Sequence, residues 1–311
     1  MDAADLYTRL VDAANGVFGS HPGHRALHAK GTWCEGRFTA TPEAARLSRA
    51  AHLQGEPIPA LVRFSNASGD PESHDAARDG RGMAVKLRLP EGGDTDILAT
   101  SAPTFVARTP EDFLELMHRR RPDPESGEPD LERLGEYLQA HPEAIPSIQA
   151  VLGAEPPASF ATLVYHSPHA FRLVAGTGDG TWVRYRWQPE AGDQHIPDEE
   201  ARARGRDYLR EELAERLAGG QASFDLLLQR AGEDDPLDDP TAPWTEDGEA
   251  VAAGRLELHD VADDPESVTG DPVVFDPTRI VDGIELSDDP ILHARQHAYS
   301  VSIERRSPRP S

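Results

Sequence analysis

Three short segments carry the side chains best suited to chemistry. Residues 25–31 read Arg-Ala-Leu-His-Ala-Lys-Gly and offer the imidazole of His28, which can accept and release a proton near neutral pH. Residues 62–66 read Val-Arg-Phe-Ser-Asn, and residues 295–299 read Arg-Gln-His-Ala-Tyr. A lone histidine is more often a surface or core residue than a catalyst, so no segment identifies an activity by itself.

The third segment places Arg295 four residues before Tyr299. On a helix these two side chains lie on one face, one turn apart. A tyrosine in water keeps its proton up to about pH 10, whereas a neighbouring guanidinium favours the phenolate. Such a pair can supply an anionic oxygen, but an Arg four residues before a Tyr is usually an ordinary surface pair.

Other side chains have weaker claims to a metal. His293 and His297 are also four apart, but they lie on a different helical face from Arg295 and Tyr299 and lack a His-Glu-x-x-His pattern, which favours solvated or supporting roles. His166 and His169 have similarly weak claims. Cys34 is the only cysteine, which excludes an intrachain disulfide and cysteine-ligated clusters, and we interpret it as an inert packed thiol. Any bound metal must use nitrogen or oxygen ligands.

The composition excludes several classes of partner. The 311 residues carry 55 acidic and 31 basic side chains, a formal net charge of −24. Like charge repels phosphate backbones and anionic lipids, which argues against nucleic-acid and membrane partners. The sequence has no transmembrane-length apolar run and no basic-then-apolar N-terminal signal. We therefore expect a cytoplasmic protein.

The elements that must position these residues follow from periodicity and turn residues. A helix is predicted over residues 5–18, because Leu6, Leu10, Ala14 and Phe18 recur every four residues. Alternation over residues 83–89 predicts a half-buried strand, and Thr109 with a following proline and acids predicts a helix start.

The remaining segments complete a single unit. Further strands are predicted at 58–66, 170–174, 182–187, 223–229 and 256–261, and further helices at 130–140, 142–153, 198–218 and 288–305. The acidic segment 233–249 is predicted to be a solvated loop. With no repeat and no linker, we predict one α+β domain over residues 1–311, built on an antiparallel sheet or barrel.

Read together and in order, these stretches resemble the haem-dependent catalases. That family carries an Arg-x-x-His-Ala-Lys-Gly segment, matched at 25–31, and Arg-Phe-Ser followed by Arg-Asp-x-Arg-Gly-x-Ala-Val-Lys, matched at 63–65 and 78–86. Its Phe-Asp-Pro, Pro-Gly-Ile-Glu and Arg-x-x-x-Tyr motifs are matched by residues 275–277, by Asp-Gly-Ile-Glu at 282–285 and by Arg295 with Tyr299. Chance does not explain matches that cover most of the chain in the family's order.

The resemblance implies a catalase-like antiparallel β-barrel core with surrounding helices that binds haem b. The sequence begins 27 residues before His28 and ends 12 residues after Tyr299. We therefore expect a minimal version without the N-terminal arm and C-terminal domain of classical catalases, similar to the small catalase-related peroxidases.

The resemblance also implies roles on the two faces of the haem. His28 is the distal histidine that moves the peroxide proton, and Ser65 orients it; the alternative for Ser65 is a hydroxyl bonded to backbone at a strand end. Ser101 takes the place of the asparagine that assists peroxide binding in classical catalases, which predicts slow catalase turnover. On the other face, Tyr299 is the iron ligand and Arg295 supports its ionised form.

Further residues are implied to hold the haem itself. Arg25, Arg63 and Arg306 match the family's propionate-facing positions; a slip in register would exchange Arg306 for Arg305, and surface ion pairs are the alternative for all three. Phe113 packs over the porphyrin, or faces the core as an ordinary helix residue.

The leading functional interpretation is a haem-dependent peroxidase that reduces hydrogen peroxide or organic hydroperoxides with a small-molecule electron donor. Two alternatives share the same pocket. One is a hydroperoxide isomerase resembling the catalase-like allene oxide synthases, and the other is a non-enzymatic haem-binding protein. A homodimer is the predicted assembly.

Overall fold

The computed structural model describes residues 3–220, 222–245 and 250–306. The strands are β1 Gly31–Ala40, β2 Ile58–Asn66, β3 Arg81–Arg88, β4 Asp94–Thr100, β5 Tyr165–His166, β6 Phe171–Val174, β7 Gly180–Pro189, β8 Ala222–Arg230, β9 Val251–Ala262 and β10 Ile284–Leu286. The α-helices are α1 Ala3–Phe18, α2 Pro42–Leu47, α3 Pro110–Arg119, α4 Leu131–Ala140, α5 Ile145–Gly153, α6 Asp198–Ala203, α7 Tyr208–Ala218, α8 Pro265–Thr269 and α9 Pro290–Arg306. Short 3-10 helices cover Ala51–Leu53, Pro142–Ala144 and Phe160–Thr162.

Eight of these strands close into an antiparallel barrel. In the order β7, β5, β4, β3, β2, β1, β9 and β8, each strand pairs with the next, and β8 pairs again with β7. Closure of the ring satisfies the strand edges that an open sheet would expose. Outside the ring, β6 pairs with β7 and β10 pairs with β6. The predicted antiparallel barrel with surrounding helices is confirmed.

Aromatic side chains fill the barrel interior. The ring of Phe64 lies 5.4 Å from that of Phe160, 5.8 Å from that of Tyr165 and 6.1 Å from that of Phe224, measured between centroids. All four side chains are buried. The interior therefore serves as a packed core, and a ligand must bind elsewhere.

Strand β3 is more buried than its alternation indicates. Met83, Val85 and Leu87 face the core as predicted, but Lys86 on the other face is only 4% exposed. Its Nζ lies 2.7 Å from the carboxylate of Asp96, which is also buried. Alternation predicts which residues face the core, whereas the cover on the second face comes from segments distant in sequence.

A layer of helices packs outside the barrel. Helices α1 and α3 share a buried cluster that includes Leu6, Leu10, Leu114 and Met117. Helix α3 begins with the predicted cap: Thr109 Oγ1 accepts from the backbone N of Asp112, and the Asp112 carboxylate accepts from the backbone N of Thr109. Within the described residues, no helix combines the length and the apolar character needed to span a membrane.

The helix predicted over 198–218 is two helices, α6 and α7. The break falls at residues 204–207, where Arg204 has extended backbone and is followed by Gly205. Glycine is a poor helix former, so the helix ends here although the charged pattern continues through the break.

The segment predicted as a solvated loop packs against the barrel over its described part. Trp244 is buried, with the guanidinium of Arg184 lying 4.4 Å from its ring centroid. Arg184 also donates to the carbonyl oxygens of Ala242 at 2.7 Å and Asp239 at 3.0 Å. Arg184 thus holds this acidic segment against the barrel, although the composition of the segment predicts a solvated loop. Residues 246–249 of this segment lie outside the described residues.

Candidate active site

The cavity lies between one wall of the barrel and helices α1, α3 and α9. Its volume is about 270 Å³, and most of its lining is apolar. Its charged and titratable side chains are those of Arg25, His28, Arg63, Arg295, Tyr299 and Arg306. The structure therefore brings together residues from both ends of the chain, as the sequence predicts.

His28 lies in the loop between α1 and β1 with left-handed backbone, φ 56°. Among the described residues, no other non-glycine has a positive φ. Its backbone N donates to the carbonyl of Ala67 at 3.2 Å, and its Nδ1 lies 2.9 Å from Oγ of Ser65 on β2. Tertiary contacts thus hold a sparsely populated conformation, a pattern that clusters at functional sites.

The neighbouring strand leaves room for this pair only because residue 82 is glycine. A Cβ atom on Gly82 would lie 2.8 Å from Oγ of Ser65 and 2.9 Å from Nδ1 of His28. Both distances are shorter than ordinary contacts, so a side chain there would displace the pair. Gly31 has a similar role, since a Cβ atom on it would approach the guanidinium of Arg63.

The environment of His28 keeps its ring neutral. Burial, and next the positive charges of Arg63, Arg295 and Arg25, lower the pKa of His28 to about 3. When Nδ1–H donates to Ser65, the lone pair is on Nε2. At neutral pH, His28 can therefore accept a proton at Nε2.

Four arginines line the cavity: Arg295 contacts Tyr299, whereas Arg25, Arg63 and Arg306 form a second group. Arg63 is held by Nη2, which donates to the carbonyls of His28 at 3.0 Å and Ala29 at 3.1 Å, whereas its buried Nε has no partner. Burial lowers the pKa of the Arg63 guanidinium well below its ordinary value. The guanidiniums of Arg25 and Arg63 lie 5.6 Å and 5.5 Å from the centroid of the Trp33 ring.

The structure separates Arg306 from its neighbour Arg305. The side chain of Arg306 is 7% exposed, lines the cavity and pairs with Glu266. That of Arg305 points away and binds Asp12 of α1 at 2.6 Å. Arg306, not Arg305, is therefore the cavity residue.

Tyr299 belongs to a chain of hydrogen bonds. Nε of Arg295 donates to its Oη at 2.8 Å, and Nη1 of Arg295 lies 2.9 Å from Nε2 of His169. Nδ1 of His169 lies 2.6 Å from the carboxylate of Asp289. A guanidinium only donates, so Nε2 of His169 accepts, and its Nδ1–H donates to Asp289. The chain thus links the phenolic oxygen to a buried carboxylate.

The sequence did not single out the role of His169, and nothing local indicates it. His169 lies in the loop before β6, is fully buried, and contacts Arg295 from 126 residues away. Burial lowers its pKa, which agrees with a neutral ring that bridges the two charged partners. Asp289 carries a recognisable local signal, because its carboxylate also accepts from the first backbone N–H groups of α9.

Comparison with known proteins gives this arrangement a family. The family model for catalase matches residues 21–308. This chain belongs to the catalase family. The resemblance predicted from the sequence motifs is thereby confirmed.

Two relatives of this catalase-family chain are named catalase-related peroxidases. That of Mycolicibacterium paratuberculosis (strain ATCC BAA-968 / K-10) is 43% identical over 300 residues, covering 96% of this chain and 94% of the relative. That of Synechococcus elongatus (strain ATCC 33912 / PCC 7942 / FACHB-805) is 31% identical over 299 residues, covering 96% and 88%. A crystal structure of a fungal catalase matches with a TM-score of 0.83 and 25% identity, covering 93% of this chain and 61% of that chain.

Catalases bind haem, and the residues of this catalase-family site fit that group. Tyr299 offers an oxygen ligand supported by a guanidinium, which suits ferric iron. The unpartnered Nε of Arg63, together with Arg25 and Arg306, supplies donors for buried acidic groups. An apolar cavity with these polar groups matches an apolar macrocycle that carries two propionates.

One predicted catalase-family site residue lies off the cavity. Oγ of Ser101 accepts from the backbone N of Arg81 at 2.9 Å, and Ser101 does not line the cavity, whereas Thr100 does. Thr100 is the last residue of β4, where successive side chains point to opposite sides. Ser101 therefore lies off the cavity, and the role of this position in peroxide binding stays a prediction.

The remaining predictions for this catalase-family chain concern side chains of lesser chemical interest. Phe113 lines the cavity, with its ring 5.5 Å from that of Phe105, and it also packs in the helix layer. His293 and His297 do not line the cavity: the first binds the Ser287 carbonyl and the second stacks on Tyr7. Cys34 is fully buried, and burial raises its pKa to about 12, which makes the thiol inert.

Proposed function

We propose that this chain is a peroxidase that uses haem b to reduce hydrogen peroxide or an organic hydroperoxide with a small-molecule electron donor. The observation that carries the proposal is one apolar cavity that joins a neutral histidine, His28, to an arginine-supported tyrosine, Tyr299. The two relatives named catalase-related peroxidases, which each cover 96% of the chain, support the same reaction class.

Each polar residue has a part in holding the cofactor. Tyr299 would bind the iron through Oη, and Arg295 would keep that oxygen anionic by donating to it. Arg25, Arg63 and Arg306 would bind the propionates. Bound haem supplies the electrons that cleave the O–O bond of the peroxide.

His28 manages the proton. Nε2 accepts a proton from the bound peroxide, because the ring is neutral and Nδ1 is held by Ser65. The same atom then returns the proton to the departing oxygen, which leaves as water or as an alcohol. Net reduction of ROOH to ROH and water takes up two electrons and two protons, which the donor and solvent supply.

A hydroperoxide assay with and without an electron donor tests the proposal. Haem-loaded protein is mixed with hydrogen peroxide, tert-butyl hydroperoxide or a fatty-acid hydroperoxide, with and without a one-electron dye. The oxidised dye is counted per peroxide consumed, and the products of the fatty-acid hydroperoxide are analysed for rearrangement. We expect two equivalents of oxidised dye per organic hydroperoxide, with slow oxygen release from hydrogen peroxide alone. Rearranged product without use of the dye would establish the isomerase instead. Bound haem that consumes no peroxide would establish a haem-binding protein.

Haem b, a cytoplasmic location, a single domain over residues 1–311 and a homodimer stay predictions. The pyridine haemochrome spectrum of the purified protein identifies the haem type, and sedimentation of the haem-loaded protein gives its assembly.

A further inference from the structure

One carboxylate, that of Glu266, holds two of the four arginines that line the cavity. Nη1 and Nη2 of Arg25 donate to its Oε2 at 3.2 Å and its Oε1 at 2.8 Å. Nη1 of Arg306 donates to both oxygens, at 2.9 Å and 2.7 Å. The backbone N of Val273 donates to Oε1 at 2.7 Å. Five hydrogen bonds therefore converge on one side chain.

Glu266 stands behind these arginines and not in the cavity. Arg25, Arg306 and Val273 line the cavity, whereas Glu266 does not. The carboxylate thus leaves the lining to the guanidiniums. Nη2 of each arginine also donates to the carbonyl of Val273, at 3.0 Å from Arg25 and 3.5 Å from Arg306. Their other N–H groups are left for a ligand, as is the unpartnered Nε of Arg63.

The charges of this group explain why a shared carboxylate is needed. Burial lowers the pKa of Arg25, and repulsion by the positive charge of Arg306 lowers it further, to about 10. Burial opposes ionisation of Glu266, but the charges of Arg25 and Arg306 outweigh it and lower its pKa. The positive charges of Arg25, Arg63 and Arg306 outnumber the negative charge of Glu266, an excess that favours an anionic ligand.

The local structure keeps Glu266 in place. Helix α8 has only five residues, too few for stability by itself, and begins where the Asp264 carboxylate accepts from the backbone N of Glu266. It ends at Gly270, whose φ of 75° turns the chain toward Val273. The bonds of Glu266 therefore join this short helix, the loop after it, the start of the chain and the end of α9.

We propose that Glu266 is a positioning residue, which holds Arg25 and Arg306 side by side as a paired receptor for the two carboxylates of the cofactor. The inference rests on the proposed function, since it takes a dicarboxylate tetrapyrrole as the ligand. Glu266 acts on the ligand in two ways: it positions the two arginines, and its own charge lowers the net positive charge of the group.

A comparison of two ligands on three variants tests this role. The variants are Glu266→Gln, which removes the charge, Glu266→Asp, which keeps it, and Glu304→Gln as a control. Glu304 is exposed on α9, so its variant changes the net charge without touching the arginines. The ligands are haemin and haemin in which one propionate is converted to an amide. Dissociation constants are measured by Soret titration of the apoprotein, and thermal unfolding of each apoprotein checks its fold.

We expect Glu266→Gln to bind haemin about tenfold more weakly, the scale of one charge-assisted hydrogen bond. The monoamide should lose less affinity than haemin, because it offers only one carboxylate to the paired arginines. Glu266→Asp should recover part of the haemin affinity, and Glu304→Gln should match the wild type. A purely structural role for Glu266 would weaken both ligands equally.

Two results overturn the inference. Glu266→Gln that binds haemin as tightly as the wild type or more tightly would show that the carboxylate does not support the receptor. An equal loss for both ligands would reduce Glu266 to a structural residue. Wild-type protein that binds no haemin would instead remove the proposed function, and this inference with it.

Discussion

His28 and Tyr299 reach the same cavity by different routes. Tyr299 stands four residues after Arg295 on one helix, and the 2.8 Å bond between them follows from helical geometry. His28 stands in a loop with φ 56°, and its ring is oriented by Ser65, 37 residues away on a barrel strand. The position of Tyr299 therefore depends mainly on contacts within one helix, with His169 as a distant partner. The position of His28 depends on contacts with residues distant in sequence.

This difference separates two kinds of sensitivity. The bond between Arg295 and Tyr299 survives as long as α9 forms, and distant partners such as His169 refine it. The geometry of His28 depends on the close approach of Ser65 and Gly82 from two strands. We therefore expect changes in the surroundings of His28 to have larger effects on peroxide chemistry than changes in the surroundings of Tyr299. The rate of reaction with hydrogen peroxide, measured by stopped-flow absorption, tests this ranking.

The largest effect is expected from His28→Ala. Loss of a positioned general base and acid costs about 10²–10⁴-fold in rate, so most of the peroxide reactivity should disappear. Haem binding should persist, because His28 is not an assigned ligand of the cofactor. A variant that keeps the wild-type rate would refute the role of His28.

A smaller effect is expected from Gly82→Ala. The added Cβ would lie 2.8 Å from Oγ of Ser65, so the histidine and serine must move apart or shift together. Displacement of a reacting group by an ångström costs about 100-fold in rate. Gly80→Ala is the matched control, because a Cβ there would meet its nearest neighbour at an ordinary 3.5 Å. Equal rates in the two variants would contradict the tight packing of His28.

Next in size is His169→Leu, which breaks the link between Asp289 and Arg295. Loss of a supporting partner of a ligand costs about 10–100-fold, and we expect the lower end because Arg295 keeps its bond to Tyr299. His169→Gln retains one donor and one acceptor, so it should recover part of the rate. If His169→Leu reacts as the wild type does, the hydrogen-bond chain has no part in the reaction.

The smallest effect on the rate is expected from pH, because His28 and His169 are both neutral. The pKa of His28 is about 3, so its ring stays neutral across about pH 5–8 and the rate should show no step from it. Stability responds more strongly. Burial lowers the pKa values of His52 and His166 to about 4, whereas histidines in the unfolded chain have a pKa of about 6.5.

The sign of this stability change follows from proton binding. Between those pKa values the unfolded chain binds more protons than the folded chain, so the free energy of unfolding falls as pH drops from about 6.5 towards about 4. Urea midpoints measured at several pH values check this. A midpoint that stays constant or rises on acidification would contradict the burial of neutral histidines.

The sequence predicted the parts of the fold that depend on local patterns. The spacing of Leu6 and Leu10 predicts α1, and the capping residues at Thr109 predict α3, because both signals act within one or two helical turns. The break at Gly205 and the packing of Trp244 under Arg184 were missed, because tertiary contacts outweigh composition there.

The site divides in the same way. Family motifs and helix spacing predicted that His28, Arg295 and Tyr299 act together, and the structure places them on one cavity. The bridging His169 was not predicted as a partner, since its contacts span 120 residues or more. Ser101 does not line the cavity, because a motif does not fix which of two adjacent side chains faces inward.

We propose that Tyr299 binds the haem iron through its phenolate oxygen. The absorption spectrum of haem-loaded wild type and of Tyr299→Phe tests it most directly, in the ferric state and before any peroxide is added. We predict that the Soret and charge-transfer bands of the variant differ from those of the wild type, because the anionic oxygen ligand is lost. Identical spectra at equal haem content would contradict the claim.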